Sequence, residues 1–347
     1  MDLRDATPAA RAGLQAYVAP RWLPGGHLQT IWPARLSRAW AGPALAWQRE
    51  RWATPDGDFI DVDFLPAPKV ASGVRPRTLV LFHGLEGSSR GHYSLAFAAD
   101  AQQRGLGFAV PHFRGCSGEM NLAPRAYHSG DHVEVGWILQ RLRQRTAGPM
   151  WAVGISLGGN ALLRWAQEAG VQAGACVDAV AAVCSPLDLA AAGRAIDTGF
   201  NRQVYARMFL ATMKAKALAK WRQHPGLFDV ERVRKAGTLA AFDDAFTAPL
   251  HGYAGVADYW ARASALPHMK RLRLPALVVH ARNDPFIPAS SLPRPADVAD
   301  GVTLWQPAEG GHVGFASGRP PGHLRALPEA VLDWMAAHGS PGSRPGQ

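Results

Sequence analysis

Ser156 lies in a sequence that suits nucleophilic catalysis. Residues 154–158 are Gly-Ile-Ser-Leu-Gly, an apolar run (MWAVGI) leads to the serine and a helical pattern (LGGNALLRWAQ) follows it. This motif is typical of a serine on a sharp strand-to-helix turn, where small flanking residues permit close packing. A chain with 36 glycines can contain the motif by chance. The strand and the helix around it therefore carry the prediction that Ser156 is a nucleophile.

Two residues downstream complete the set that acyl transfer needs, since a serine hydroxyl requires a base. With this motif the acid and the base follow the serine in the order Asp or Glu, then His. Asp284 follows the apolar run PALVVH, and His312 lies between glycines after the next apolar run. We therefore predict His312 as the base and Asp284 as its orienting acid. The alternatives are an Asx turn at Asp284, a loop histidine at 312 and His280 as a rival base.

The reaction also needs donors for the oxyanion that develops on the attacked carbonyl. One is expected to be the backbone N–H of Leu157, directly after the nucleophile. The other is expected in the loop after the third strand, where residues 83–89 are His-Gly-Leu-Glu-Gly-Ser-Ser. We assign it to the backbone N–H of Leu85, and we expect His83 to brace this loop.

Two further motifs carry reactive side chains. Cys116 follows a strand within Phe-Arg-Gly-Cys-Ser-Gly, but no second base accompanies it, so loop packing is favoured. Residues 224–229 match an acyltransferase-type H-x-x-x-x-D pattern, which chance explains in a chain with 13 histidines. No Cys/His spacing suits a metal, and no phosphate-binding P-loop is present. The sequence therefore predicts neither a cofactor nor a metal ion.

Apolar runs alternate with helical patterns along most of the chain. After two strands joined by a Thr-Pro-Asp-Gly-Asp turn, the strands become continuously apolar, as in a parallel sheet covered on both faces. Strands are predicted at residues 47–53, 59–64, 78–82, 107–112, 150–155, 177–184, 275–280 and 302–306, and helices at about 93–104, 132–145, 157–169 and 328–338. This pattern predicts an α/β-hydrolase fold, with a mostly parallel central sheet, helices on both faces and a helical lid insertion.

The alternation stops in residues 190–265, where large side chains recur at helical spacings without a buried strand. We predict that this segment is a helical lid inserted into a single domain that spans residues 1–347. The core then comprises about 45–189 and 266–338, preceded by an N-terminal arm, 1–44. The tail 339–347 is rich in Gly, Pro, Ser and Arg and is expected to fray.

The composition of the chain indicates which partners and which cellular compartment to expect. The formal charge of +10 is scattered rather than clustered, so a nucleic-acid partner is not predicted. Three cysteines cannot build a disulfide framework. The N-terminus lacks the apolar stretch of a signal peptide, and no apolar run approaches the ~18 residues of a membrane span. These features favour a cytoplasmic protein without a transmembrane segment.

Several motifs together resemble one family along nearly the whole chain. They comprise residues 26–30 (GHLQT), 54–58 (TPDGD), 83–88 (HGLEGS), 114–118 (RGCSG), 127–130 (YHSG), 154–160 (GISLGGN), 283–285 (NDP) and 310–312 (GGH). The chain resembles the YheT-like branch of α/β hydrolases, which is related to ABHD lipases and plant embryogenesis-associated proteins. The resemblance implies hydrolysis of carboxylic esters, with short- or medium-chain acyl esters, acylglycerols or phospholipids as candidate substrates. It carries the three catalytic roles onto Ser156, Asp284 and His312.

The same residues permit other functions. An amidase and an acyltransferase would use the same triad, and a non-catalytic binding protein could retain the hydrolase scaffold. The sequence does not distinguish between substrates, and it leaves the lid state, the oligomeric state and the role of His27–Gln29 open.

Overall fold

An eight-stranded sheet crosses the part of the chain that the computed structural model describes, which is residues 14–39, 44–67 and 76–339. The strands follow the order β1-β2-β4-β3-β5-β6-β7-β8. Their bounds are β1 Gln48–Ala53, β2 Phe59–Leu65, β3 Thr78–Phe82, β4 Gly107–Pro111, β5 Met150–Ile155, β6 Ala179–Val183, β7 Ala276–Val279 and β8 Val302–Trp305.

Strand direction divides the sheet into two parts. β1 pairs with β2 and β2 with β4 in the antiparallel sense, whereas all pairs from β4 to β8 are parallel. The Thr54–Asp58 turn closes the first hairpin, with a hydrogen bond of 2.9 Å from the Thr54 N–H to the Asp58 carbonyl. The carboxyl ends of the parallel strands meet at one edge, where α/β proteins place their ligand sites.

Helices cover both faces of the sheet. Their bounds are α1 Gly25–Arg35, α2 His92–Gln103, α3 His132–Arg145, α4 Leu157–Ala169, α5 Ala173–Cys176, α6 Leu189–Ile196, α7 Gly199–Asn201, α8 Arg207–Gln223, α9 Val230–Lys235, α10 Leu239–Phe242, α11 Ala248–Leu250, α12 Val256–Ala263 and α13 Ala326–His338. One buried cluster joins the sheet to α2 and α13 through residues such as Phe97 and Trp334. A second joins the opposite face to α3 and α4 through residues such as Ile138 and Leu162.

The connection between β6 and β7 is helical. It runs from α6 to α12, includes π-helical turns at Arg202–Ala206 and Asp243–Thr247 and closes with the 3₁₀ segment Leu266–Arg271. Part of it has its own apolar cluster, in which Phe228, Phe242 and Phe246 are buried. Its role as a lid stays a prediction. No helix among the described residues is long and apolar enough to cross a membrane.

The predicted elements are found with bounds that differ by no more than two residues at either end, and two differences have a clear physical reason. The sixth strand is Ala179–Val183 rather than 177–184, because α5 ends just before Val177 and Cys184 has a left-handed φ of 47°. Helix α1 was not expected, since its sequence contains two glycines and Pro33, which disfavour helix interiors. Of the predicted arm and tail, residues 1–13, 40–43 and 340–347 lie outside the described residues.

Candidate active site

Ser156 occupies a strained turn at the carboxyl end of β5. Its backbone has φ 52° and ψ −120°, and its N–H donates to the Val183 carbonyl at 2.8 Å. Helix α4 starts at the next residue, so the helix N-terminus adjoins the hydroxyl. A Cβ at Gly154 would lie 2.4 Å from the Gly159 Cα, and one at Gly158 would lie 2.5 Å from the Phe82 carbonyl oxygen. The flanking glycines are therefore required by close backbone packing.

The other two predicted catalytic side chains lie beside this serine. His312 Nε2 is 3.0 Å from Ser156 Oγ, and His312 Nδ1 is 2.8 Å from Asp284 Oδ2. Asp284 also forms an Asx turn, the alternative to a catalytic role for this residue, since its Oδ1 accepts the Phe286 N–H at 2.8 Å. Each oxygen of this buried carboxylate thus has its own donor. The aspartate is fixed by its loop and holds the imidazole at the same time.

The two backbone groups assigned to the oxyanion border the same space. Within the described residues, neither the Leu85 N–H nor the Leu157 N–H has an intramolecular hydrogen-bond acceptor. The Leu85 loop is held from the next residue, Glu86, which has a left-handed φ of 56°. The Tyr127 hydroxyl accepts the Glu86 N–H at 2.9 Å and donates to the Glu86 carboxylate at 2.7 Å. These contacts leave both N–H groups available to a ligand.

The two other candidate histidines have structural partners. His83 is fully buried, donates from Nδ1 to the Gly84 carbonyl at 2.8 Å and accepts the Phe113 N–H at Nε2. Burial lowers its pKa to about 3, so the ring is neutral and braces the loop. His280 is also fully buried and donates from Nε2 to the Ser185 carbonyl. Burial lowers its pKa as well, and it does not contact Ser156.

Cys184, Asp284 and His312 form the one group of possible metal ligands found among the described residues, with ligand atoms within 4.8 Å of one another. Metal binding requires a thiolate. Burial, reinforced by the Asp284 charge, raises the pKa of Cys184 well above its usual value. The Cys184 sulfur instead accepts the Val313 N–H at 3.4 Å. This chemistry suits a scaffold for the His312 loop rather than a metal centre.

Helix α1 holds the loops that carry Asp284 and His312. The sequence did not predict this role for the helix. The Gln29 side-chain oxygen accepts the Gly310 N–H and the Asn283 side-chain amide, both at 2.8 Å. The Thr30 hydroxyl accepts the His312 N–H at 2.9 Å. These residues belong to the GHLQT segment. The resemblance of this segment to the family was the only sequence feature that pointed to a role for it. Their partners lie more than 250 positions away, so local patterns could not reveal them.

A cavity of about 260 Å³ opens beside Ser156 and His312. Apolar and aromatic side chains dominate its wall. The helical connection contributes Val204, Tyr205, Met208 and Phe209. A second cavity, of about 70 Å³, is lined by Leu85 and Leu157 and extends under the same connection. The cavity beside Ser156 can therefore accommodate an apolar group.

The remaining sequence motifs lie outside this constellation. Cys116 is 3.3 Å from Lys216 Nζ, and burial raises the pKa of its thiol to about 11. His224 donates to the Leu122 carbonyl at 2.8 Å, and Asp229 caps helix α9. The H-x-x-x-x-D match is thus built into local structure.

The fold and this arrangement define a hydrolase of the α/β class. A family model described as alpha/beta hydrolase fold matches residues 77–318. The chain is 38% identical over 326 residues to YheT of Escherichia coli strain K12, a protein named as a candidate esterase, with 93% of each chain covered. The chain therefore belongs to the α/β hydrolase family and to its YheT-like branch.

More distant relatives carry related names. The phospholipase ABHD3 of Mus musculus is 28% identical, with 80% of this chain and 68% of that protein covered. The monoacylglycerol lipase of Saccharomyces cerevisiae is 26% identical, with coverages of 73% and 58%. An esterase structure from Pyrococcus furiosus superposes with a TM-score of 0.54 at 12% identity, covering 88% of this chain and 98% of that one. The predicted family, fold class and enzyme class, a carboxylic ester hydrolase, are confirmed.

Proposed function

We propose that the protein hydrolyses acyl esters through an acyl-enzyme formed on Ser156. The Ser156 hydroxyl attacks the ester carbonyl while His312 Nε2 accepts its proton, and Asp284 holds the His312 ring with Nδ1 protonated. The backbone N–H groups of Leu85 and Leu157 bind the oxyanion. His312 then donates its proton to the departing alcohol, and a water molecule activated by His312 releases the acid. No cofactor takes part in these steps.

The observation that carries this proposal is the unbroken contact from Ser156 Oγ through His312 to Asp284, at 3.0 and 2.8 Å. These distances are within hydrogen-bond reach for both proton transfer and ring orientation. Each oxyanion donor that is removed from such a site costs about 3–4 kcal/mol of transition-state stabilisation. The two unpaired N–H groups beside the serine supply this stabilisation without any rearrangement of the loop.

The cavity supports acyl esters with an apolar chain as the substrate class. Its lining by Ile31, Val204, Met208 and Phe209 offers apolar contact next to the nucleophile. Each methylene buried in such a site contributes about 0.8 kcal/mol. We therefore expect activity to rise with acyl length until the chain fills the cavity, within the short- to medium-chain range. Acylglycerols and phospholipids with such chains are the natural esters that we propose to test first.

A series of p-nitrophenyl esters from acetyl to palmitoyl tests this function. Wild-type protein should show a length optimum, and Ser156→Ala should lose turnover on every ester. A matched anilide series separates an amidase from an esterase, and glycerol added as a competing alcohol reveals acyl transfer as new ester product. Equal rates for wild type and Ser156→Ala would remove the basis of the proposal.

A further inference from the structure

Exposed apolar side chains border the cavity that contains Ser156. They come from helix α1 and from the helical segment 199–223 and are between 37% and 54% exposed. We call this set the apolar rim; it comprises Leu28, Ile31, Phe200, Val204 and Met208. Three of its members, Ile31, Val204 and Met208, also line the cavity. The rim is therefore continuous with the site of the nucleophile.

The rim forms a band rather than scattered single residues. Leu28 and Ile31 are three positions apart, and Phe200, Val204 and Met208 follow at intervals of four, spacings that place side chains on one helix face. The Phe200 ring lies 4.6 Å from the His27 ring, which joins the two helical segments. A contiguous exposed apolar band of this kind marks an interaction surface.

The charged side chains on the two segments that carry the rim are all basic. Neither α1 nor residues 199–223 contain an aspartate or a glutamate. Arg35 and Arg207 are exposed on these elements, four positions after Ile31 and three after Val204, so each lies beside the rim. Neither pairs with a carboxylate within the described ranges. Arg35 also lines the cavity. An apolar band edged by free cations complements a surface that is apolar inside and anionic outside.

We propose that the apolar rim, Arg35 and Arg207 dock the protein onto an anionic phospholipid surface. The apolar side chains enter the boundary between head groups and acyl chains, and the guanidinium groups contact the phosphates. A second copy of the chain is a less suitable partner. A two-fold contact through this face would place the arginines of one copy near the arginines of the other. If docking delivers an acyl chain to Ser156, it rests on the proposed ester hydrolysis. Binding of the protein to the lipid surface does not depend on that proposal.

Vesicle flotation with full-length Ser156→Ala protein tests docking without turnover. The probes are phosphatidylglycerol vesicles and phosphatidylcholine vesicles of equal size. We expect binding to phosphatidylglycerol that weakens as salt rises, and weaker binding to phosphatidylcholine. Adding Leu28→Ser with Phe200→Ser should lower the partition coefficient about tenfold or more. Adding Arg35→Gln with Arg207→Gln should lower binding to phosphatidylglycerol about tenfold or more.

Two control variants change residues outside the rim, near the carboxyl-terminal part of α4. Val171 is 75% exposed and lies beyond the 13 residues of that helix, about 20 Å from Ser156 at 1.5 Å per residue. Lys270 is exposed and belongs to the segment Leu266–Arg271, which packs against the same helix. Val171→Ser and Lys270→Gln should bind vesicles as the parent protein does. Circular dichroism and thermal unfolding identify any variant that has lost its fold.

Three results would overturn the docking proposal. The first is no binding to either vesicle, and the second is equal binding by the rim variants and the controls. The third is self-association of the parent that the rim variants abolish, because this face would then join two copies of the chain. If Ser156→Ala binds vesicles but wild type hydrolyses no ester, docking stands and the proposed function fails.

Discussion

The backbone N–H of His312 donates to the Thr30 hydroxyl at 2.9 Å, and that hydroxyl donates in turn to the Gly26 carbonyl at 2.7 Å. One threonine side chain therefore joins helix α1 to the loop of the proposed base across 282 positions of sequence. Without it, the His312 backbone N–H would lose its acceptor. Thr30 is a positioning residue in this account, acting through His312.

Removing the Thr30 hydroxyl should slow ester hydrolysis while leaving the fold intact. Thr30→Val keeps the shape but leaves the His312 N–H without its acceptor, a loss of about 1–3 kcal/mol. If this loss falls on the transition state, kcat/KM drops about tenfold or more. Thr30→Ser retains the hydroxyl and is the matched control. Equal kinetics for the Val and Ser variants would contradict a positioning role.

Asp284→Asn should reduce turnover on the order of 10⁴-fold, because an amide no longer selects the His312 ring with Nδ1 protonated. The Asx turn to the Phe286 N–H needs only one side-chain oxygen, so the loop should persist. Single-turnover kinetics with a p-nitrophenyl ester measure the chemical step. A loss of less than about tenfold would show that Asp284 serves only its loop.

Three buried histidines should destabilise the protein as the pH falls below about 6.5. Two buried carboxyls act in the opposite sense, because burial raises the pKa of Asp243 to about 6 and also raises that of Glu134. Burial lowers the pKa of His83 to about 3 and that of His92 to about 4, and burial beside His128 lowers the pKa of His251 to about 3. In the unfolded chain a histidine titrates near 6.5. The unfolded state therefore binds more protons below about pH 6.5, so this stability is complete above that pH and is lost as the pH falls towards about 4.

Urea unfolding across this range measures the effect. Each buried histidine should contribute a slope of up to about 1.4 kcal/mol per pH unit. His251→Leu should flatten the pH dependence on the acid side of about pH 6.5. The same pH dependence for wild type and His251→Leu between about pH 6.5 and pH 4.5 would refute the argument.

Cys116 should resist alkylation. Burial raises the pKa of its thiol to about 11; the nearby Lys216 opposes this rise and Glu86 adds to it. Near pH 8 the thiolate is then about a hundredfold scarcer than for an ordinary cysteine. Iodoacetamide labelling followed by mass spectrometry should modify the less buried Cys176 first. Faster labelling of Cys116 would point to a reactive thiol and to chemistry beyond the serine.

The fold was largely predictable because its signals are local. Strand β5 and helices α3 and α4 have the predicted bounds, since apolar runs and helical periodicity mark them directly. The ordered motifs also nominated the three residues that the structure places within hydrogen-bond distance, although their catalytic roles stay predictions. Helix α1 could not be predicted, because contacts of Gln29 and Thr30 with distant loops outweigh its unfavourable glycines and proline.

The most direct test of the central claim is the position of a covalent fluorophosphonate adduct. Wild-type protein should gain one adduct, and peptide mass spectrometry should locate it on Ser156. Ser156→Ala should remain unlabelled, and Asp284→Asn should label much more slowly. An adduct on another residue, or no adduct on folded wild-type protein that also fails to hydrolyse esters, would contradict the account.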